Sequence, residues 1–166
     1  MICPSCGFEN IQGVDECENC GADLRTVDIP APSTGFEAQM VGRPLSSLQP
    51  EAPITIAPNA SAAEAIQLMN DNSTGCLIVV DSSGVRGILS ERDLLLKLDG
   101  SPLDRARVAE LMTPDPVVLR PGDSIAVAIH KMAVGGFRHI PLVEDGQATG
   151  LISAGQVFRF ILDQID

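Results

Sequence analysis

Two stretches of this chain, Gly87-Ile88-Leu89-Ser90-Glu91-Arg92-Asp93 and Gly150-Leu151-Ile152-Ser153-Ala154-Gly155-Gln156, share the order glycine, two apolar residues, serine at positions 63 residues apart. The same offset holds from Leu45 to the end without a gap. Leu45 and Leu48 answer Val108 and Leu111, Pro53 answers Pro116, Pro58 answers Pro121, Ser61 answers Ser124, Ile66 answers Ile129 and Met69 answers Met132. A register of this length requires two copies of one supersecondary unit, related by a pseudo-two-fold axis so that each buries what the other exposes.

The order of elements within a copy follows from periodicity. Ile54-Thr55-Ile56 is a short strand between prolines, and residues 59–72 carry Ala62, Ala65, Ile66 and Met69 at helical spacing behind an N-cap candidate. Two β-branched, apolar strands at 77–80 and 85–89 flank Asp81-Ser82-Ser83-Gly84, which is hairpin chemistry. A second helix runs from Ser90 to Leu98. The second copy predicts a strand over 117–119, a helix over 123–134, strands over 137–143 and 148–152, and a helix over 154–165. Each unit reads β-α-β-β-α, and the fold class is α+β.

Residues 1–24 hold Cys3-x-x-Cys6 and Cys17-x-x-Cys20, each pair followed by glycine, at Gly7 and Gly21. This spacing turns two thiolates of one tight turn toward a single ion, and glycine lets backbone N–H groups turn toward the sulfurs. Two such knuckles make a closed four-cysteine site, so the expectation is structural rather than catalytic zinc; a redox dithiol pair and an iron site of the rubredoxin kind are the alternatives. Metal binding worth roughly 10–16 kcal/mol would fold so short a segment. Residues 25–44, with Pro30, Pro32, Ser33 and Gly35, read as a tether. The expected domains are therefore 1–24, a linker over 25–44, and repeats over 45–107 and 108–166.

Composition excludes several functions. Eleven basic residues face 22 acidic ones for a net charge of −11, and there is no Trp or Tyr. Nucleic-acid binding needs clustered Lys and Arg, and single-strand binding adds aromatic platforms; an anionic membrane surface would repel the chain. Apolar runs such as 76–80 are strand-sized, so no membrane span is expected. The start lacks the basic and apolar parts of a signal peptide, which predicts a cytoplasmic protein with reduced thiols. There is no Walker or Rossmann glycine pattern and no nucleophile with a base and orienting acid, so the chain reads as non-enzymatic.

The segment around the four cysteines resembles the small zinc ribbons found at the N-termini of many prokaryotic proteins. From Leu45 onward, the duplicated order, the corner Gly87 to Asp93, Met112-Thr113-Pro114 before the second copy, and Phe137-Arg138-His139-Ile140-Pro141-Leu142-Val143 resemble the cystathionine β-synthase (CBS) domain pair. That resemblance implies clefts for adenosine-containing ligands such as AMP, ATP or S-adenosylmethionine. Carried over by position, it implies that Asp93 receives the ribose hydroxyls, that Ser90 adds a contact, and that Arg92, Arg138 and His139 meet the phosphate, with Gly87 opening the motif. The bland reading of Ser90 and Asp93 is a helix capping box, of His139 a core or edge histidine, and of Cys76 a small buried residue. The second corner has Gln156 where the acid stands in the first and Gly155 where Arg92 stands, which predicts one competent site per chain. The last helix of each copy is apolar on more than one face, and together with the CBS resemblance predicts a homodimer. The resulting expectation is a regulatory sensor that transmits ligand binding to a protein partner through the dimer or the ribbon. The alternative is a ligand-free dimerisation or adaptor module with a protein-binding ribbon.

Overall fold

The computed structural model describes residues 2–3, 5–11, 14–24 and 35–164, with only the backbone for Phe36, Glu37 and Gln39. Residues 25–34 of the expected tether over 25–44 and the helix end at Ile165 lie outside the described residues. Eight residues of the expected linker region do more than connect: α1 (Gly35–Gly42) forms next to the folded unit and buries Met40 among second-repeat side chains. A 3-10 turn follows at Leu45–Leu48.

The first repeat is β1 (Thr55–Ile56), α2 (Ala62–Asn72), β2 (Cys76–Asp81), β3 (Gly84–Ser90) and α3 (Glu91–Lys97). Then come α4 (Val108–Leu111), β4 (Thr113–Pro114), α5 (Ile125–Gly135), β5 (His139–Glu144), β6 (Gln147–Ser153) and α6 (Ala154–Leu162). The N-cap of α2 is Ser61 and not Asn59: its hydroxyl accepts the Glu64 N–H while the Glu64 carboxylate accepts the Ser61 N–H, a closed capping box that fixes the start two residues late. Ser124, at the same place in the second copy, caps α5. The expected strand over 117–119 shrinks to one parallel bridge, Leu119 to Leu142.

The sheets explain the arrangement of the repeats. In the first, β1 pairs parallel with β2, β2 antiparallel with β3, and β3 antiparallel with β4, whose residues belong to the leading segment of the second repeat. In the second, β5 pairs antiparallel with β6, and Glu51, in the leading segment of the first repeat, bridges Leu151 of β6. The leading segments are thus exchanged. Leu45 is fully buried in the core built from Leu119, Ile125, Ile140 and Ile152, while Val108 and Leu111 are buried in the core built from Ala65, Met69, Leu77 and Leu89. A third cluster, Cys76, Ile78, Ile88 and Leu151, joins the two sheets. Close approach decides the two motif glycines. A Cβ on Gly87 would stand 2.6 Å from Met112 Sδ and 2.8 Å from the Thr113 carbonyl, and one on Gly150 would stand 2.9 Å from Pro50 Cβ. Each glycine therefore admits the exchanged segment of the other repeat.

The last helix of each copy presents apolar residues both to the core and to solvent. Leu94 is buried and Leu98 packs on the first core, but Leu95 is 83% exposed. On α6, Val157, Phe160 and Ile161 face inward, with the Arg43 guanidinium over the Phe160 ring at 5.3 Å, and Phe158 faces out. No helix among the described residues is long and apolar enough to cross a membrane.

Candidate functional site

The two strand-to-helix corners are built alike. The Glu91 N–H donates to the Gly75 carbonyl, and 63 positions on, the Ala154 N–H donates to the Arg138 carbonyl, at 3.0 and 2.8 Å. Ser90 and Ser153 cap α3 and α6 through capping boxes closed by Asp93 and Gln156. The bland reading of the corner is therefore present in the structure, and the question becomes what else the carboxylate does.

Asp93 is engaged at every acceptor position. Oδ2 receives the Ser90 N–H at 3.0 Å and the Ser90 hydroxyl at 2.5 Å; Oδ1 receives the Thr113 hydroxyl at 3.0 Å and the Lys97 ammonium at 2.9 Å. An ionised carboxylate has about four lone-pair positions, so all are in use. Burial acts to raise its pKa, but the Ser90 hydroxyl, Lys97, the Ser90 N–H and Thr113 outweigh it and hold the group below the usual range. Lys97 also donates to the carbonyls of Leu111 and Met112, tying α3 to the segment that enters the second repeat. At the second corner one amide does both jobs: Gln156 accepts from Ser153 and donates to the Gln49 carbonyl at 3.1 Å. That carbonyl corresponds to Met112 in the first copy, so the loss of the acid is matched by the loss of the lysine.

A cavity of about 730 Å³ opens in front of the first corner. Ser90, Arg92, Asp93, Arg138 and His139 all line it, although they come from α3 and its cap in one repeat and from the start of β5 in the other. Gly87 is not in the wall; it lies behind it, against β4. Glu91 and Asp115 add two carboxylates, and Ile88, Val117 and Phe137 add apolar surface. His139 is held below its ordinary pKa chiefly by burial, with Arg138 reinforcing and Glu51 and Glu91 opposing, so the imidazole is neutral near pH 7. Two guanidinium groups are thus the fixed positive charges of the wall. Phe137, Thr113 and Lys97 escape sequence reasoning. Lys97 was within reach, since it stands four residues after Asp93 on one helix, whereas Thr113 meets Asp93 only through the pairing of β4 with β3.

The second candidate site is at the N-terminus. The four Sγ atoms of Cys3, Cys6, Cys17 and Cys20 lie within 4.8 Å of one another, with Cys3 to Cys20 at 3.7 Å and Cys6 to Cys17 at 3.6 Å. A tetrahedral ion with bonds of about 2.3 Å to sulfur needs edges near 3.8 Å, so the cluster fits zinc. Gly7 and Gly21 take φ of 74° and 69°, and their N–H groups donate to the Cys3 and Cys17 carbonyls. The buried Asn10 amide, unnoticed in the sequence, reaches the Cys17 sulfur, and Asn19 reaches that of Cys6, both at 3.6 Å. Burial works to raise the Cys17 pKa, but the N–H groups of Cys20 and Asn19 with Asn10 and Cys6 bring it to about 6. For Cys20 the Ala22 N–H pulls downward, yet Cys6, burial, Cys17 and Cys3 push it to about 12. Four thiols so close cannot all ionise without a cation among them. Cys76 is apart, buried in β2 and pushed up to about 12 by burial, Asp93 and Glu51.

Comparison with known proteins places these features in context. The family model described as CBS domain matches twice, over residues 47–100 and 108–163. An uncharacterized 17.7 kDa protein in the bps2 3′ region of Acidianus ambivalens is 32% identical over 110 residues, spanning 65% of this chain and 66% of that protein. The match to the uncharacterized protein MJ1225 of Methanocaldococcus jannaschii, 26% identical over 73% of this chain, spans 44% of that protein's length. Among solved structures, the CBS domain NE2398 superposes with a TM-score of 0.68 at 26% identity, covering 75% of this chain and 98% of that one. CBSX2 in complex with AMP superposes with a TM-score of 0.64 at 24% identity, covering 75% and 100%.

Proposed function

The chain belongs to the CBS domain family, and from that premise we propose that it is a non-enzymatic regulatory protein whose paired repeats bind an adenosine-containing ligand in the cleft before Asp93. The observation that carries the reading is the convergence of Ser90, Arg92, Asp93, Arg138 and His139, drawn from two repeats, on one cavity of about 730 Å³. That volume lies in the usual range for small-molecule sites, roughly 300–1,000 Å³. CBSX2, of the same fold, was solved with AMP. A ribose hydroxyl would be received at Asp93 Oδ1 in place of the Thr113 hydroxyl, which is exposed and free to turn to the ligand. Arg92 and Arg138 match the two charges of a phosphomonoester, while the longer phosphate chain of ATP would meet Glu91 and Asp115 without further cations. A ligand that grips both repeats shifts their relative arrangement only by its different affinity for the two states.

The ribbon is proposed to hold structural zinc, and the output to a protein partner to pass through the ribbon or through a homodimer. Leu95, Leu96, Phe158 and Leu162 remain exposed on α3 and α6, the surface a second chain would cover. A cytoplasmic location is consistent with thiols kept reduced for metal. A second reading, a ligand-free dimerisation or adaptor module, is favoured by one observation: the carboxylate of Asp93 is fully occupied by its own neighbours.

A thermal-shift panel with AMP, ADP, ATP and S-adenosylmethionine separates the two. The sensor reading expects a rise in midpoint with AMP larger than with ATP at equal concentration. No shift with any of the four, in protein shown by metal analysis to carry zinc, would leave the adaptor reading.

A further inference from the structure

Phe137 is the aromatic residue of the cleft wall, and its position depends on a residue two before it. Gly135 is the last residue of α5 and also lines the cavity. A Cβ placed on Gly135 would stand 2.0 Å from Phe137 Cε1 and 2.5 Å from Cδ1, so the ring lies directly on the glycine, where no other residue would admit it. Gly136 then turns the chain with φ of 66°, the left-handed region open to glycine, and delivers Phe137 and Arg138 side by side to the cavity. Phe137 is half-buried, so part of the ring rests on the second core and part belongs to the cleft.

From this arrangement we infer that Phe137, seated on Gly135, is the surface on which the base of the bound nucleotide stacks, next to the guanidinium of Arg138 that meets its phosphate. The inference rests on the nucleotide reading above and gives that site a selectivity: a flat aromatic base is required, and the sugar phosphate alone is not enough. Base-on-aromatic stacking is worth about 1–3 kcal/mol per base by truncation, a change of roughly 5- to 150-fold in affinity.

The test is calorimetric titration of the full chain with AMP and, separately, with ribose 5-phosphate. Phe137→Leu should weaken AMP by about tenfold and leave ribose 5-phosphate unchanged. Gly135→Ala should cost AMP affinity because the added methyl group displaces the ring. The double variant should lose no more than the larger single loss, since both changes remove one contact. Unchanged AMP affinity in Phe137→Leu overturns the inference while leaving the nucleotide reading standing. An equal loss for AMP and ribose 5-phosphate overturns it as well, because the residue would then only support the fold. Absence of AMP binding by the unaltered chain overturns both.

Discussion

At the first residue of β5, His139 joins the cleft to the folding equilibrium. Its pKa lies below the ordinary value of 6.5, chiefly through burial. Between the folded value and 6.5 the unfolded chain binds a proton that the folded chain refuses, so this residue makes stability fall as pH drops below about 6.5 and leaves it untouched above. Charged groups facing the ring are Arg138, Glu51 and Glu91. His139→Asn should flatten the difference in urea-unfolding free energy between pH 7.5 and 5.5, and parallel profiles for the two proteins would contradict the assignment. Asp93 contrasts with it. Its depressed pKa adds stability that is present above the unfolded value and is lost only as pH falls through the folded one, well below the histidine window.

The residue roles were legible in unequal measure. Ser90 and Asp93 stand three apart before an apolar run, so the capping box could be read directly from their spacing. The Asp93 contact with Thr113 spans 20 positions and depends on β4 pairing with β3, which no local pattern encodes. Phe137 looked like one more apolar residue at a strand start, and only the contact with Gly135 shows that part of it belongs to the cleft.

At the scale of elements, the 63-residue register predicted the duplicated unit and most of its helices, because apolar periodicity reports which faces are buried. It could not report which core buries them. Leu45 and Val108 are equivalent in the repeat, yet each packs in the core of the other copy, since β4 and the Glu51 segment cross over. The strand expected over 117–119 has the right composition but only Leu119 reaches a neighbour. Leu45→Ala should cost about 2–5 kcal/mol of unfolding free energy, as a fully buried leucine does when truncated. Hydrogen exchange should show the loss in β5 and β6 rather than in β2 and β3. Protection lost chiefly in the first repeat would contradict the exchanged packing.

For the whole molecule, the chain carries a net charge of −11, and among the described residues an ion pair seats the N-terminal unit. Asp15 pairs with Lys131 on α5, and Asp15 and Glu16 also face the edge formed by 118–120 and 143–146. The ribbon therefore rests on the second repeat, whose α5 ends in the cleft. The seat of the ribbon depends on a lysine more than a hundred positions away in the chain, which no local pattern encodes.

Nucleotide binding in the cleft before Asp93 decides between a sensor and an adaptor. Calorimetric titration of the metal-loaded chain with AMP is the direct measurement. One AMP per chain should bind with measurable heat, and Asp93→Asn, which keeps a cap acceptor but removes the charge, should weaken it by roughly tenfold. No heat up to millimolar AMP, or the same affinity in Asp93→Asn, would contradict the account.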